Sequence, residues 1–177
     1  MALHPVQDHE LEQVAAFVNA AYRGLGGQAG WSQEGNYISG PRTTAEILHE
    51  DLKAAPEAKL MVWRDEPDGP PLGCVWLEPA PDGAWRLGLL TVRSDLQDRK
   101  LGRAVLEAAE AMAAEAGASH IRMTVISLRE ALIAWYGRRG YVRTGTRPFP
   151  YDDARLGEPQ RQDLSFAVLE KPLRTPG

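Results

Sequence analysis

The chain has 177 residues, of which 44% are hydrophobic and 25% are charged. These proportions are typical of a folded globular protein, and the length is sufficient for one domain with a single core. The formal net charge of -4 argues against general nucleic-acid binding, which requires a basic face. We therefore predict one domain over residues 1–177, with its packed core spanning residues 5–172, and no nucleic-acid partner.

Neither the histidines nor the cysteine indicates a metal centre or a disulfide. The four histidines lie at positions 4, 9, 49 and 120, without the ligand spacing of a zinc site. The single cysteine, Cys74, lies in an apolar stretch with no histidine nearby in the sequence. We interpret it as a small buried side chain rather than a nucleophile, and we expect no metal.

The N-terminal residues lack the features of a targeting segment. Met1–Asp8 has neither the basic flank nor the apolar core of a signal peptide. No run of apolar residues approaches the length needed to span a bilayer. We therefore expect a cytoplasmic protein without a membrane partner, and the sequence leaves open whether it forms a homodimer.

Two helices are predicted in the N-terminal third of the chain. Apolar residues at helical spacing follow Asp8, which can cap the first helix, and this helix ends near Arg23. Thr43–Glu46 has the spacing of a capping box, and the helix that it opens stops before Pro56. The segment between the helices, residues 24–41, is too rich in glycine for regular structure, and long loops of this kind are often functional.

Three strands follow the second helix. Leu60–Arg64, Leu72–Glu78 and Trp85–Val92 are rich in apolar and β-branched residues. Turns containing Asp68-Gly69 and Asp82-Gly83 separate them, and such short links join antiparallel neighbours. The sequence therefore predicts an antiparallel meander.

A long helix follows the third strand after a short turn. Its apolar positions share one face, its charged positions occupy the other, and Gly117 supplies a left-handed cap at its end. The apolar face comprises Val105, Ala109, Met112 and Ala116, and the charged face comprises Arg103, Glu107 and Glu110.

The beginning of this helix has the properties of an anion site. A helix that starts directly after a strand presents backbone N–H groups without internal partners, and its dipole adds partial positive charge. Gly102 leaves room for an anion to approach the N–H groups of residues 100–104, and Arg99, Lys100 and Arg103 add charge. Neither the dinucleotide fingerprint nor the nucleotide-triphosphate loop is present.

The C-terminal third completes a mixed sheet. Ile121, Met123 and Val125 alternate with polar residues in a strand that must run parallel to its neighbour, because a helix connects the two. Ser127–Glu130 has capping-box spacing and opens a helix that reaches Gly140. Two further strands follow, Tyr141–Thr144 and Leu164–Glu170. The predicted fold class is α/β (α+β), a mixed, mostly antiparallel central sheet with helices on both faces.

Two motifs identify a resemblance to a known family. Arg99-x-x-Gly102-x-Ala104, preceded by Gln97 and the strand end Leu90–Val92, resembles the Gln/Arg-x-x-Gly-x-Gly/Ala signature of the GNAT superfamily of N-acetyltransferases. Leu132–Tyr141 resembles the second signature of that superfamily, a helix that carries a tyrosine and closes with glycine plus an aromatic residue.

The resemblance implies a cofactor and the residues that bind it. In this superfamily the N–H groups of the first motif hold the pyrophosphate of acetyl-coenzyme A. Arg129 stands where many members have an asparagine that contacts the coenzyme, and this departure leaves that contact open. The cofactor-binding residues implied are Leu90, Thr91, Val92, Gln97, Asp98, Arg99, Lys100, Leu101, Gly102, Arg103, Ala104 and Arg129.

The resemblance also implies direct transfer of an acetyl group to a primary amine of a small molecule or a protein. A strand N–H group near Leu90 or Val92 would contact the thioester oxygen, and Tyr136 would give a proton to the departing thiolate. On the alternative reading, Tyr136 is a core aromatic beside Trp135.

The general base is less clearly marked in the sequence. Many relatives carry a glutamate on the strand before the pyrophosphate loop, but Trp85–Val92 contains no carboxylate. Glu78, at the end of the preceding strand, is our candidate, and Glu34, Asp152 or an ordered water chain are the alternatives.

The acceptor site is expected at the glycine-rich loop and at a second loop near the C terminus. Trp31, Glu34 and Tyr37 lie in the first loop, and Tyr151 and Asp152 lie in the second. Their carboxylates hint at a cationic amine, although the aromatic residues could instead pin the loop to the core. The alternative function is a coenzyme A-binding sensor or regulatory module without turnover, which the absent strand carboxylate favours.

Overall fold

The computed structural model describes residues 2–23, 38–39, 42–93, 100–151 and 158–173. A short 3₁₀ helix at Asp8–Glu10 leads into the first of the α-helices, which are α1 (Leu11–Arg23), α2 (Ala45–Ala54), α3 (Leu101–Glu115) and α4 (Glu130–Arg138). The strands are β1 (Ala2–Pro5), β2 (Ile38–Ser39), β3 (Lys59–Arg64), β4 (Gly73–Pro79), β5 (Ala84–Val92), β6 (His120–Ile126), β7 (Val142–Pro148), β8 (Glu158–Pro159) and β9 (Ser165–Pro172).

The strands of the described residues form a seven-stranded sheet in the order β1-β3-β4-β5-β6-β9-β7, beside a two-stranded pair of β2 and β8. The β3-β4-β5 meander is antiparallel, as predicted. The pairing of β5 with β6 is parallel, also as predicted, because α3 connects them. The edge strand β1, which pairs with β3, was not predicted, and β9 lies between β6 and β7.

Alternation along the strands gives the sheet two different faces. On the α3 face, Val75, Leu77 and Leu87 pack with apolar residues of α3 and α4 in the larger core cluster. On the α1 face, Leu60, Val62, Cys74 and Leu89 pack with α1 and α2 in a second cluster. Burial of apolar side chains on both faces stabilises the central strands.

The residues that cap three helices differ from those predicted from the sequence. Gln7, not Asp8, precedes the first turn, and its main-chain N–H donates to Glu10 Oε1 at 3.0 Å. Thr44, not Thr43, caps α2, accepting from the N–H of Ile47 at 3.1 Å. The predicted capping box at Ser127 is absent, because Arg129 is the N-cap of α4 and makes no side-chain cap bond.

The apolar face of α3 is rotated slightly from the predicted one. Its buried residues include Leu101, Val105, Leu106, Ala109 and Ala113, whereas Ala116 is exposed. Gly117 has a φ of 93° and ends the helix as predicted. No helix in the described part of the chain combines the length and the apolar composition that would carry it across a membrane.

Glu110 corrects the prediction that it belongs to the charged, solvent-facing side of α3. Its side chain is buried and accepts a hydrogen bond from the Tyr141 hydroxyl at 2.8 Å. Lys171 Nζ lies 3.1 Å from both Glu110 oxygens. The carboxylate is therefore buried with a cation and a hydroxyl donor, as a buried charge requires.

Candidate active site at the fork between β5 and β6

The two parallel strands at the centre of the sheet separate along their length. Their ladder joins Ala84 to His120, Trp85 to Ile121 and Arg86 to Arg122, and the register ends there. Beyond it, β6 continues to pair with β9 and β5 continues to pair with β4. A fork therefore opens between the two strands without breaking the sheet on either side.

A bulge in β5 lies beside this fork. Cys74 pairs with Thr91 and Trp76 pairs with Gly88, so Leu89 and Leu90 together oppose the single residue Val75. Leu89 has a φ of 52°, in the left-handed region that non-glycine residues rarely adopt. The Thr91 hydroxyl donates to the Leu89 carbonyl at 2.9 Å and supports this turn. Bulges of this kind redirect a strand locally.

The N terminus of α3 begins shortly after the end of β5. Lys100 is the N-cap, with a φ of 59°, and Leu101 anchors the first turn in the core. The N–H groups of Leu101, Gly102 and Arg103 have no acceptor within the helix, because the residues one turn earlier precede it. The Ala104 N–H donates to the Lys100 carbonyl at 3.2 Å. Ala104 therefore does not belong to the stretch of bare N–H groups, residues 100–104, that the sequence predicted.

Eight of the twelve predicted coenzyme residues fall into three groups. Leu90, Thr91 and Val92 are buried in β5, where only their main-chain groups could contact a ligand at the fork. Lys100 and Arg103 are exposed at the start of α3, and Arg103 Nε pairs with Glu107 Oε1 at 3.0 Å. Gln97, Asp98 and Arg99 lie outside the described residues.

Tyr136 lies on α4 and is only 5% exposed. Its ring makes edge contacts with Trp135, at a centroid distance of 5.1 Å, and with Tyr141 at 5.7 Å. Burial and the neighbouring Glu110 raise the pKa of Tyr141, whose hydroxyl is committed to that carboxylate. The ring of Tyr136 is therefore a core aromatic, and the catalytic role of its hydroxyl stays a prediction.

Glu78 is half-buried on the α1 face of β4 and lines two cavities. One cavity, of about 190 Å³, is bordered by Leu87 and Gly88 of β5 and by Met123 and Thr124 of β6, at the fork. The other, of about 360 Å³, extends towards α2. Both share Trp76, Glu78 and Gly88 in their lining. The candidate base therefore lies where the two cavities meet.

Three arginines around the first cavity were not singled out from the sequence: Arg86, Arg122 and Arg147. Arg122 Nε donates to Glu170 at 2.8 Å and its Nη2 donates to Asp82 at 2.5 Å. This hydrogen bond and charge lower the pKa of Asp82 to about 2. A hydrogen bond with Thr144 lowers the pKa of Glu170, and Arg122 adds to that effect. Alternation along β5 and β6 could have indicated that Arg86 and Arg122 share a face.

Two of the remaining predicted residues, Tyr151 and Arg129, do not line either cavity, and the others lie outside the described residues. The Tyr151 hydroxyl accepts from the Leu164 N–H at 2.8 Å, and the Tyr151 ring packs on that of Phe149 at a centroid distance of 5.0 Å, so Tyr151 holds the residue before β9. Arg129 caps α4, with its N–H donating to the Ile126 carbonyl at 3.0 Å. Trp31, Glu34, Tyr37 and Asp152 lie outside the described residues.

Cys74 is fully buried in β4, as predicted. Burial raises the pKa of its thiol to about 12, against a smaller opposite effect of its hydrogen bond with Thr91. A thiol in this state is a poor nucleophile. Over the residues that the structure describes, no cluster of three histidine, cysteine or acidic side chains could hold a metal ion.

Comparisons with known proteins agree with this architecture. The ribosomal-protein-alanine N-acetyltransferase from Brucella melitensis is 18% identical, with a TM-score of 0.69 over 98% of this chain and 100% of that one. The ribosomal-protein-S18-alanine N-acetyltransferase from Escherichia coli is 15% identical, with a TM-score of 0.68 over 99% and 96%. An acetyltransferase of the GNAT family from Staphylococcus aureus Mu50 is 11% identical, with a TM-score of 0.67 over 97% and 98%.

These likenesses establish the fold, and a comparison with curated proteins gave no match. The model of the Acetyltransferase (GNAT) family matches residues 29–141, a span that includes β3 to β6, α3 and α4. Both sequence signatures lie within it. The chain therefore belongs to the GNAT acetyltransferase family.

Proposed function

We propose that this chain is an acetyl-coenzyme A-dependent N-acetyltransferase that transfers the acetyl group directly to a primary amine. The observation that carries the proposal is the fork between β5 and β6, which opens beside the bulge at Leu89, together with the N terminus of α3, whose first N–H groups have no acceptor within the helix. The helix N terminus offers main-chain N–H donors to an anion. The gap between β5 and β6 offers space for the rest of a ligand that carries this anion.

The residues present fit the coenzyme at the start of α3. The N–H groups of Leu101, Gly102 and Arg103 point along a helix axis whose dipole favours a diphosphate. Gly102 is buried and carries no side chain that would hold the phosphates away, and Lys100 adds a full charge. The bound coenzyme supplies an activated acetyl thioester.

Each proposed protein group has one task in the transfer. Glu78 accepts a proton from the attacking amine, whose nitrogen forms the new bond to the acetyl carbon as the carbon–sulfur bond breaks. The Tyr136 hydroxyl gives a proton to the departing sulfur. A main-chain N–H near the β5 bulge donates to the acetyl oxygen, on which negative charge develops.

The test is release of free thiol from acetyl-coenzyme A in the presence of polyamines, amino acids, aminoglycosides and peptide N termini. The buried Cys74 contributes little background to thiol detection because its own pKa is raised to about 12. Thiol release with at least one amine is expected. Coenzyme binding by calorimetry without turnover of any amine would instead favour the non-catalytic module.

Tyr136→Phe separates the proposed chemistry from packing. We expect it to bind coenzyme A normally and to lose turnover by about 10²-fold or more, the range of a general acid. Tyr141→Phe is the matched control, because it also removes one buried hydroxyl next to the same ring but leaves the proposed acid in place. Equal turnover in Tyr136→Phe and the wild type would remove the tyrosine from the mechanism.

Gly102→Val tests the coenzyme site independently of the chemistry. A branched side chain at this position would stand between the diphosphate and the N–H groups, so the Kd for coenzyme A should rise by about tenfold or more. Unchanged affinity would move the diphosphate away from the start of α3.

A further inference from the structure

The cavity at the fork carries charges of both signs on a small surface. Glu78 of β4, Arg86 of β5 and Arg147 of β7 all line it. Glu78 and Arg86 face each other across the β4–β5 ladder. No ion pair joins these two side chains in the described part of the chain, so each is available to a ligand.

The third arginine of the cavity is already neutralised. Arg122 donates to Asp82 and to Glu170, and these two carboxylates hold it in place. By contrast, Arg86 and Arg147 have no hydrogen-bond or ion-pair partner among the residues that the structure describes. Two unpaired guanidinium groups beside one small cavity are suited to a carboxylate or a similar anion.

Arg147 reaches this cavity because of a bulge in β7. The register shifts between Arg143 and Gly145, so that Arg143 pairs with Leu169 while Arg147 pairs with Phe166. Residues that pair directly across a ladder share a face, and Leu169 belongs to the α3 face. Without the bulge, the spacing of four would have placed both arginines on one face.

The cavity is small and adjoins the second cavity at Gly88. Its volume of about 190 Å³ lies below the ~300 Å³ at which sites for drug-sized ligands begin. A Cβ added at Gly88 would have no neighbour within 4 Å, so space is free at the junction with the second cavity. That junction gives the side chain of a ligand room to extend towards Asp51 and Ala54 of α2 and towards its C-cap residue Ala55.

We propose that the amine acceptor is zwitterionic, a free amino acid whose carboxylate binds Arg86 and Arg147 while its amine faces Glu78. This inference rests on the proposed function and names its substrate class. The opposite charges line one cavity, next to the gap between β5 and β6. A simple polyamine would find its preferred carboxylate beside two repelling arginines.

The experiment compares amino acids with their decarboxylated amines: phenylalanine with phenethylamine, leucine with isopentylamine, and lysine with cadaverine. In at least one pair we expect kcat/KM to be about tenfold or more higher for the amino acid. Arg86→Gln and Arg147→Gln should each lower kcat/KM for the amino acid by about tenfold, and neither should lower that for the amine, because each removes a cation that repels it. Arg143 lies on the same strand as Arg147 but on the opposite face of the sheet. Arg143→Gln should therefore change kcat/KM for neither the amino acid nor the amine.

Two outcomes would overturn the inference while leaving acetyl transfer intact. One is that the decarboxylated amines, or amines from other classes alone, are acetylated as well as or better than the amino acids. The other is that Arg86→Gln and Arg147→Gln lower the rates for acid and amine equally.

Failure of the proposed function would have a different signature, namely no thiol release with any amine. The six compounds are therefore also titrated by calorimetry into protein saturated with coenzyme A, which requires no turnover. Tighter binding of the amino acid, weakened by Arg86→Gln and not by Arg143→Gln, supports a zwitterion site. Equal binding within each pair, or no binding, contradicts it.

Discussion

Two sites on opposite faces of the central sheet treat charged side chains in opposite ways. On the α3 face, Glu110 is buried and satisfied by the Tyr141 hydroxyl and by Lys171. On the α1 face, Glu78 and Arg86 lie opposite each other beside a cavity without forming an ion pair. Folding alone demands the first arrangement, because an unpaired buried charge is costly. The second leaves charges available, as a binding site requires.

The largest effect should come from removing the buried carboxylate of the α3 face. Glu110→Ala leaves the Lys171 amine and the Tyr141 hydroxyl without their shared acceptor, and Tyr141 is only 5% exposed. We expect a loss of about 2–4 kcal/mol in the free energy of unfolding. Chemical denaturation, with the midpoint and slope compared to the wild type, measures it.

Glu107→Ala is the matched control on the same helix. Glu107 pairs with Arg103, but both side chains are more than half exposed, at 60% and 54%, so the loss should stay below about 0.5 kcal/mol. Glu110→Gln, which keeps an acceptor for Tyr141, should fall between the two. Equal losses for Glu107→Ala and Glu110→Ala would mean that burial does not raise the contribution of Glu110 to stability.

Substitution of two glycines, one on each face of the sheet, tests how closely each face is packed. A Cβ at Gly73 of β4 would lie 3.0 Å from Val105 Cγ2 of α3 and 3.2 Å from the Thr91 carbonyl oxygen. Gly73→Ala should therefore cost about 1–3 kcal/mol through overpacking. Gly88→Ala should be neutral or stabilising by about 0.5 kcal/mol, because its Cβ meets nothing within 4 Å. Thermal unfolding of both variants checks the order, and a stable Gly73→Ala variant would contradict close packing of α3.

Sequence periodicity was sufficient to predict the helices and strands whose positions depend only on a local pattern of buried residues. The three meander strands and α3 lie where alternation and helical spacing predicted them, since β3 begins at Lys59 and β5 ends at Val92. The parallel pairing of β5 with β6 also follows from the helix between them. These features need only local patterns and connection rules.

The errors come from side chains whose partners are distant in the sequence. Ser127 has the spacing of a helix cap, but its hydroxyl lies 2.8 Å from that of Ser165, 38 residues away. Glu110 looks solvent-facing until Tyr141 and Lys171, 31 and 61 residues later, reach it. Tertiary contacts therefore override local propensity at these positions.

The charged cavity could be predicted only in part. Strand alternation places Arg86 and Glu78 at an ordinary cross-strand position, and Glu78 was predicted as the candidate base from its position at a strand end. Arg147 could not be found from its sequence spacing, because the bulge after Arg143 reverses the face of every later residue in β7. Bulges depend on how two strands fit together, and one strand's sequence does not contain that information.

The smallest expected effect is on the pH dependence of stability. It concerns the half-exposed ion pair between Asp82 and Arg122, where the paired part of β5 and β6 ends. Arg122 holds the pKa of Asp82 at about 2, below its usual value of 3.8. Because the folded pKa is lowered, the stabilisation is present above about pH 4 and is lost as the pH falls towards about 2. Asp82→Asn should therefore flatten the dependence of stability on pH between about 4 and 2.

Asp163→Asn provides the comparison for this last prediction. Arg161 lowers the pKa of Asp163 as well, but the two residues are only two positions apart. Such a pair can also form in the unfolded chain, so its effect on the folding equilibrium should be smaller. Asp82 and Arg122 are 40 residues apart and meet only in the folded sheet. Acid unfolding curves of the two variants should differ accordingly, and identical curves would mean that the ion pair at the closed end of the fork does not contribute to stability.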